Sequence, residues 1–275
     1  VETVSRIATF VVFGAVVLGS IVCVTDSSAA CPNWPGCYTD QFAPEFQLHP
    51  MIEFVHRVFS MATAPVVLLT AILVRCHSRP LVRWLPWVSL VGALGAGVFG
   101  MLTIKRGLSA AEGMIDLWCA LLALTAISIT TMILRSTDTA AETSVVDRKD
   151  RSVWYASTII GLFVLHGTGV LVAGPGSFTR CLGWPLGYNS TADESFGVQI
   201  FRIIVAVSLF AVIFFVLDSR PLKIALIVEC VLGAILLAGG LNDVVGSLFS
   251  AVAAGIVLVT ALEWGRSLAV KERCC

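Results

Sequence analysis

Residues 50–75 read PMIEFVHRVFSMATAPVVLLTAILVR. A bilayer crossing takes roughly 20 mostly apolar residues, and this stretch supplies them, yet Glu53, His56 and Arg57 stand on its first two turns. Ionisable side chains near the end of a membrane helix are costly and usually carry function. Glu53 and His56 are three residues apart, so they share one helix face about one turn above each other. A plainer reading competes: Glu53 favoured by the helix dipole at an N-terminus, with Arg57 snorkelling to the membrane surface.

Working outward, seven more apolar runs of similar length surround this one. The expected spans are 5–24, 51–74, 84–104, 113–134, 152–173, 196–217, 222–241 and 244–264. With 57% hydrophobic and 13% charged residues, the chain is excluded from the ordinary soluble domains. Its net charge of zero points to no nucleic-acid partner. The expected fold is an all-α integral membrane protein with eight transmembrane helices, and the lipid bilayer is its first partner. Thirteen of the 18 Lys and Arg residues fall on one side of these spans, against Lys105, Arg106 and Arg180 on the other. The positive-inside rule then puts both termini in the cytoplasm and the 25–50 loop outside. Ala29-Ala30-Cys31 faintly resembles a signal cleavage site. The first run is nonetheless expected to be a retained helix, because the repeat below gives it an uncleaved counterpart.

The chain reads as two related halves. Cys31, Trp34 and Pro35 of CPNWPGC return 150 residues later as Cys181, Trp184 and Pro185 of CLGWPLG, and Arg57 returns 145 later as Arg202. GMLTIKRGL at 100–108 matches GAILLAGGL at 233–241, pairing Gly100, Gly107 and Leu108 with Gly233, Gly240 and Leu241. The expected organisation is an N-terminal four-helix bundle over 1–135, a cytoplasmic linker over 136–151 and a C-terminal bundle over 152–275. Four spans per half keep both copies in one orientation, so the bundles are expected to be pseudo-symmetric about an axis along the membrane normal.

That topology sets His56 and Asp116 in one outer layer of the first bundle, with Phe201 and Phe249 at the corresponding positions of the second. Side chains on facing helices at such a level are where haem and metal ligands are built. Asp116 also reads as a packed, protonated acid bonded to a neighbour, and Glu229 likewise. His166 is expected either to meet an anionic group or to be a satisfied interface histidine. Cys31 and Cys37 lie outside, where a disulfide persists. Cys181 has no nearby partner in sequence, and Cys23, Cys119 and Cys230 read as membrane-buried thiols.

Together these landmarks resemble the haem A synthase family, which pairs two four-helix membrane bundles with CPxWPxC in the first long loop and ExxHR opening the second helix. The residues that match are Cys31, Trp34, Pro35, Cys37, Glu53, His56 and Arg57, with the glycine landmarks. The resemblance implies oxidation of the C8 methyl of haem O towards haem A for cytochrome oxidase, in a bacterial plasma membrane. It implies Glu53 as the catalytic residue, His56 as a haem-iron ligand, and a b- or o-type haem in the first bundle with Arg57 near a propionate. Haem O is then the substrate, and haem O synthase or cytochrome oxidase subunits are the expected partners. The family pattern has a histidine pair in each bundle. Here Asp116 stands at the second N-terminal position, Phe201 and Phe249 at both C-terminal ones, and Gly187 at a loop cysteine. Phenylalanine has no lone pair for iron, so no second-bundle haem b is expected, and the two rings should meet and fill its place. A carboxylate is not among the usual haem ligands, so Asp116 fits a role of fixing the His56 tautomer equally well. Two other classes stay open: a non-catalytic haem-binding or oxidase-assembly relative, and a haem-free transporter or scaffold.

Overall fold

A computed structural model describes residues 1–138, 146–172, 181–185, 196–239 and 242–271. Arg180, Gly187, Gly240, Leu241, Cys274 and Cys275 lie outside the described residues, as does most of the second long loop.

Among the described residues eight α-helices follow one another: α1 (Glu2–Val24), α2 (Leu48–Val74), α3 (Pro80–Arg106), α4 (Ala110–Asp138), α5 (Val146–Val172), α6 (Phe196–Ala211), α7 (Arg220–Gly239) and α8 (Asp243–Lys271). A short π-helical turn, Val212–Val216, extends α6. All eight are long and apolar enough to cross a membrane, and no strand forms among the described residues. The protein is an eight-span, all-α, multi-pass membrane protein.

Local chemistry sets the helix ends. Pro80 opens α3 at a first-turn position whose amide needs no partner, and Gly107 closes it at φ 71°. Ser109 and Glu112 form a reciprocal capping box on α4: the Ser109 amide donates to Glu112 at 2.9 Å, and the Glu112 amide returns to the Ser109 hydroxyl at 3.3 Å. The Asn242 side chain accepts from the amides of Val244 and Val245 at the start of α8.

The linker expected over 136–151 is shorter than the hydropathy profile suggests. α4 runs on to Asp138 and α5 starts at Val146. Charged residues stop an apolar run but not a helix, so backbone hydrogen bonding continues past the hydrophobic limit.

Neighbouring helices pack as α1–α2, α2–α3, α3–α4 and α4–α1, and then as α5–α6, α7–α8 and α8–α5, with α7 also meeting the π turn. The two sets meet through α4 against α8, α1 against α8 and α4 against α5. Helix α4 is the centre of the molecule. Its apolar segment is 72% buried, against 11% for α3. Glycines let other helices approach it: a β-carbon at Gly92 of α3 would lie 2.6 Å from the Cys119 carbonyl, and one at Gly265 of α8 would lie 2.9 Å from the Ile129 carbonyl. Gly100, in the same four-residue series as Gly92, faces open space. Polar side chains join α1 to α4: Thr9 bonds Thr131 at 2.8 Å, and Ser5 bonds Thr131 as well. Buried hydroxyls of this kind hold membrane helices together where hydrophobic contrast is absent.

Candidate functional site

The site is built on the first two turns of α2. The helix starts at Leu48, two residues before Pro50, so at 1.5 Å per residue His56 lies about 12 Å below its end rather than about 9 Å.

Arg57 and Glu53 are one turn apart and both nearly fully buried. The Arg57 Nε–H donates to Glu53 Oε1 at 2.7 Å. Its terminal nitrogens donate to the carbonyl oxygens of Gly36 at 2.8 Å and Cys31 at 2.7 Å, and to that of Asn33. These acceptors all belong to the CPNWPGC loop, which a disulfide between Cys31 and Cys37 closes. Both cysteines are fully buried. Four of the five guanidinium N–H groups are thereby committed, leaving one for any outside anion. The geometry makes Arg57 first a clamp that holds the loop on α2.

His56 points the other way. Its Nδ1 is 3.9 Å from Glu53 Oε2, too far for a hydrogen bond, and has no partner although it is buried. Its Nε2 faces α1 at Gly19, where a β-carbon would stand 3.1 Å away. Gly14, five residues earlier on α1, makes the same kind of room for Phe59. Asp116, from α4, is near enough to act on His56 electrostatically. Three helices therefore bring Glu53, His56 and Asp116 into one region. Cys119 lies one turn beyond Asp116 and feels its charge.

Among the described residues, no group of three or more His, Cys, Asp or Glu side chains could hold a bare metal ion. A porphyrin brings four of its own ligands, so the requirement on the chain falls to one imidazole. His56 meets it in part: its buried Nδ1 has no partner, while its Nε2 packs against α1 at Gly19, whose missing side chain admits the imidazole.

Gly19 was not legible as part of the site, although two glycines five residues apart in an apolar run were a usable signal. The loop acceptors are main-chain carbonyls and leave no mark in the sequence at all.

Three expectations change. Cys23 is not a lone membrane thiol, and Cys181 does have a partner: the two form a disulfide joining the end of α1 to the CLGWPLG loop. Their sequence separation of 158 hid the pairing. Phe201 and Phe249 do not fill a common space, because Phe249 is 1% exposed whereas Phe201 is 47% exposed. Phe201 adjoins the buried Arg202 on α6, and the turn that buries the arginine carries its neighbour outward. His49 lies in the first turn of α2, where its Nδ1 bonds Ser27 at 2.9 Å. Cys76, Cys119 and Cys230 are free thiols.

The fold and site together define an eight-span membrane protein with a histidine and two carboxylates gathered beneath a disulfide-closed loop. No family model matches the chain. The chain is similar to a heme A synthase of Exiguobacterium sp. (strain ATCC BAA-1283 / AT1b), being 27% identical to it over 173 residues, 62% of this chain. It spans 56% of that relative's length.

Proposed function

We propose that the chain is a haem A synthase-like membrane protein that oxidises the C8 methyl of haem O towards haem A for cytochrome oxidase biogenesis. The observation that carries this reading is the convergence of Glu53, His56 and Asp116 in one layer of the first bundle, next to Gly19. The similarity to a heme A synthase supports the substrate class.

In this reading His56 would hold the haem through its iron. Bound haem supplies oxygen activation for hydroxylating the methyl group. Glu53 has one oxygen tied to Arg57 and the other directed towards His56, so it is held rigid beside the reacting edge. Asp116 acts on the imidazole through its charge. The disulfide loop, clamped by Arg57, shields this layer from water. Arg57 has one N–H left for a propionate, which makes that contact secondary to its clamping role.

The two bundles of 1–135 and 152–275 are read as pseudo-symmetric repeats, supported by the matching neighbour order of their helices. Both termini are assigned to the cytoplasm and the Cys31–Cys37 loop to the outside, on the distribution of basic residues. Haem O synthase and cytochrome oxidase subunits are the proposed partners.

A second reading keeps the haem and drops the catalysis, making the chain a haem-holding or oxidase-assembly relative. The burial of Phe249 at a position where a ligand histidine is expected favours it, because no second haem is then available to relay electrons. Haem chromatography of the purified protein after incubation with haem O, oxygen and a reductant separates the two. Haem A formed by the wild type and lost in Glu53→Ala supports catalysis. A Soret band with no haem A selects the second reading. The third reading, a haem-free transporter or scaffold, follows if neither pigment is retained.

A further inference from the structure

We infer that Arg202, His166 and Trp184 form a binding site for one oxyanion, a carboxylate or phosphate group, at the loop end of the second bundle. The inference does not rest on the haem reading.

Arg202 is fully buried. It donates from Nε to the Leu165 carbonyl, from one terminal nitrogen to Gln199 Oε1 and from the other to the Gly183 carbonyl, each at 3.3 Å. All three acceptors are neutral. Two N–H groups of the five remain. Among the described residues His166, 1% exposed, has no partner for either ring nitrogen, and the Trp184 indole N–H, in a residue 9% exposed, has none either. Arg202 donates to the main-chain carbonyl of the residue before His166 and to that of the residue before Trp184. Its charge acts on His166 directly.

The first half shows what is missing. At the repeat offsets, Arg57 corresponds to Arg202 and Asn33 to Gly183, and each arginine donates to the equivalent loop carbonyl. In the first half Glu53 neutralises the guanidinium at 2.7 Å. Its repeat position in the second half is Val198, and the adjacent Gln199 makes the contact with an amide. Among the described residues no carboxylate pairs with Arg202; a buried cation without a counter-charge is strongly unfavourable, and buried donors without acceptors add to the cost. One oxyanion would neutralise the guanidinium and accept from the indole N–H and from the single N–H of the neutral imidazole. A cation would be repelled by the guanidinium and could take nothing from the indole N–H. The oxyanion can come from solution or from a phospholipid headgroup, since the site sits near the start of a membrane helix.

The test uses the purified full chain in detergent, with melting temperature followed at constant ionic strength as chloride is exchanged for inorganic phosphate or acetate. The wild type is expected to show a saturable rise. Trp184→Phe, which removes one donor, should weaken the apparent affinity roughly tenfold. Gln199→Glu supplies an internal carboxylate, so it should melt higher without added anion and lose the response. This variant keeps the proposal testable even if Arg202→Gln fails to fold. Native mass spectrometry distinguishes the source: phospholipid retained by the wild type and absent from Gln199→Glu assigns the oxyanion to a headgroup. The proposal is overturned if the wild type shows neither an oxyanion response nor retained phospholipid. It is equally overturned if Gln199→Glu melts lower and responds unchanged.

Discussion

Arg57 and Glu53 are joined at 2.7 Å, one turn apart on α2 and both within a few per cent of complete burial. The pair does two jobs because each partner has a second commitment. Arg57 holds three carbonyls of the loop, and Glu53 turns its other oxygen towards His56. Loop and site are therefore coupled through one ion pair.

Removing the cation should show this coupling. Arg57→Ala strands a buried carboxylate and three loop carbonyls, and loss of one partner of a buried pair costs about 3–5 kcal/mol. The expected result is a lower melting temperature in detergent together with faster proteolysis within residues 31–47. Arg57→Lys should recover part of the stability, since it keeps the charge but cannot reproduce the planar fork of donors.

Gly19 tests the space beside His56. The methyl group in Gly19→Ala would stand 3.1 Å from Nε2 and crowd the imidazole. Haem retention, read as Soret absorbance per protein, should fall in Gly19→Ala and vanish in Gly19→Val. Gly97→Ala, at a glycine with nothing near its added carbon, should leave it unchanged.

The cysteine pairing is directly measurable. Peptide mapping without reductant should recover Cys31 joined to Cys37 and Cys23 joined to Cys181. Substituting Cys31 and Cys37 together by Ser should cost about 2 kcal/mol, as expected for a short closed loop. Substituting Cys181 by Ser should leave the first-bundle spectrum intact, because that link lies outside the Glu53–His56–Asp116 layer.

Packing onto α4 gives a contrast within one helix. Gly92→Val forces a side chain against the Cys119 carbonyl and should cost about 1–3 kcal/mol. Gly100→Val, eight residues on in open space, should cost little. Melting temperatures of the two variants decide the matter.

The spans were legible because hydropathy acts over some 20 residues, and every expected run lies within an observed helix apart from a residue or two at its ends. Glu53 and His56 were legible because charge is conspicuous in an apolar run. The role of Arg57 was not, since its partners are main-chain carbonyls that any residue could provide. Nor was the Cys23–Cys181 link, because an apolar surrounding disguised one cysteine and chain distance separated it from the other. The outward turn of Phe201 was hidden too: on α6 the face that buries Arg202 leaves Phe201 47% exposed. Helix ends were overrun at the linker, where polarity stopped the hydrophobic pattern before it stopped the hydrogen bonding.

The central claim is that His56 in the first bundle takes haem iron, and titration of the purified protein with haem O tests it most directly. The wild type should develop a saturable Soret band with one haem per chain. His56→Ala should lose it while melting within a few degrees of the wild type in the absence of haem. An identical titration curve in His56→Ala would contradict the account, whatever the other variants do.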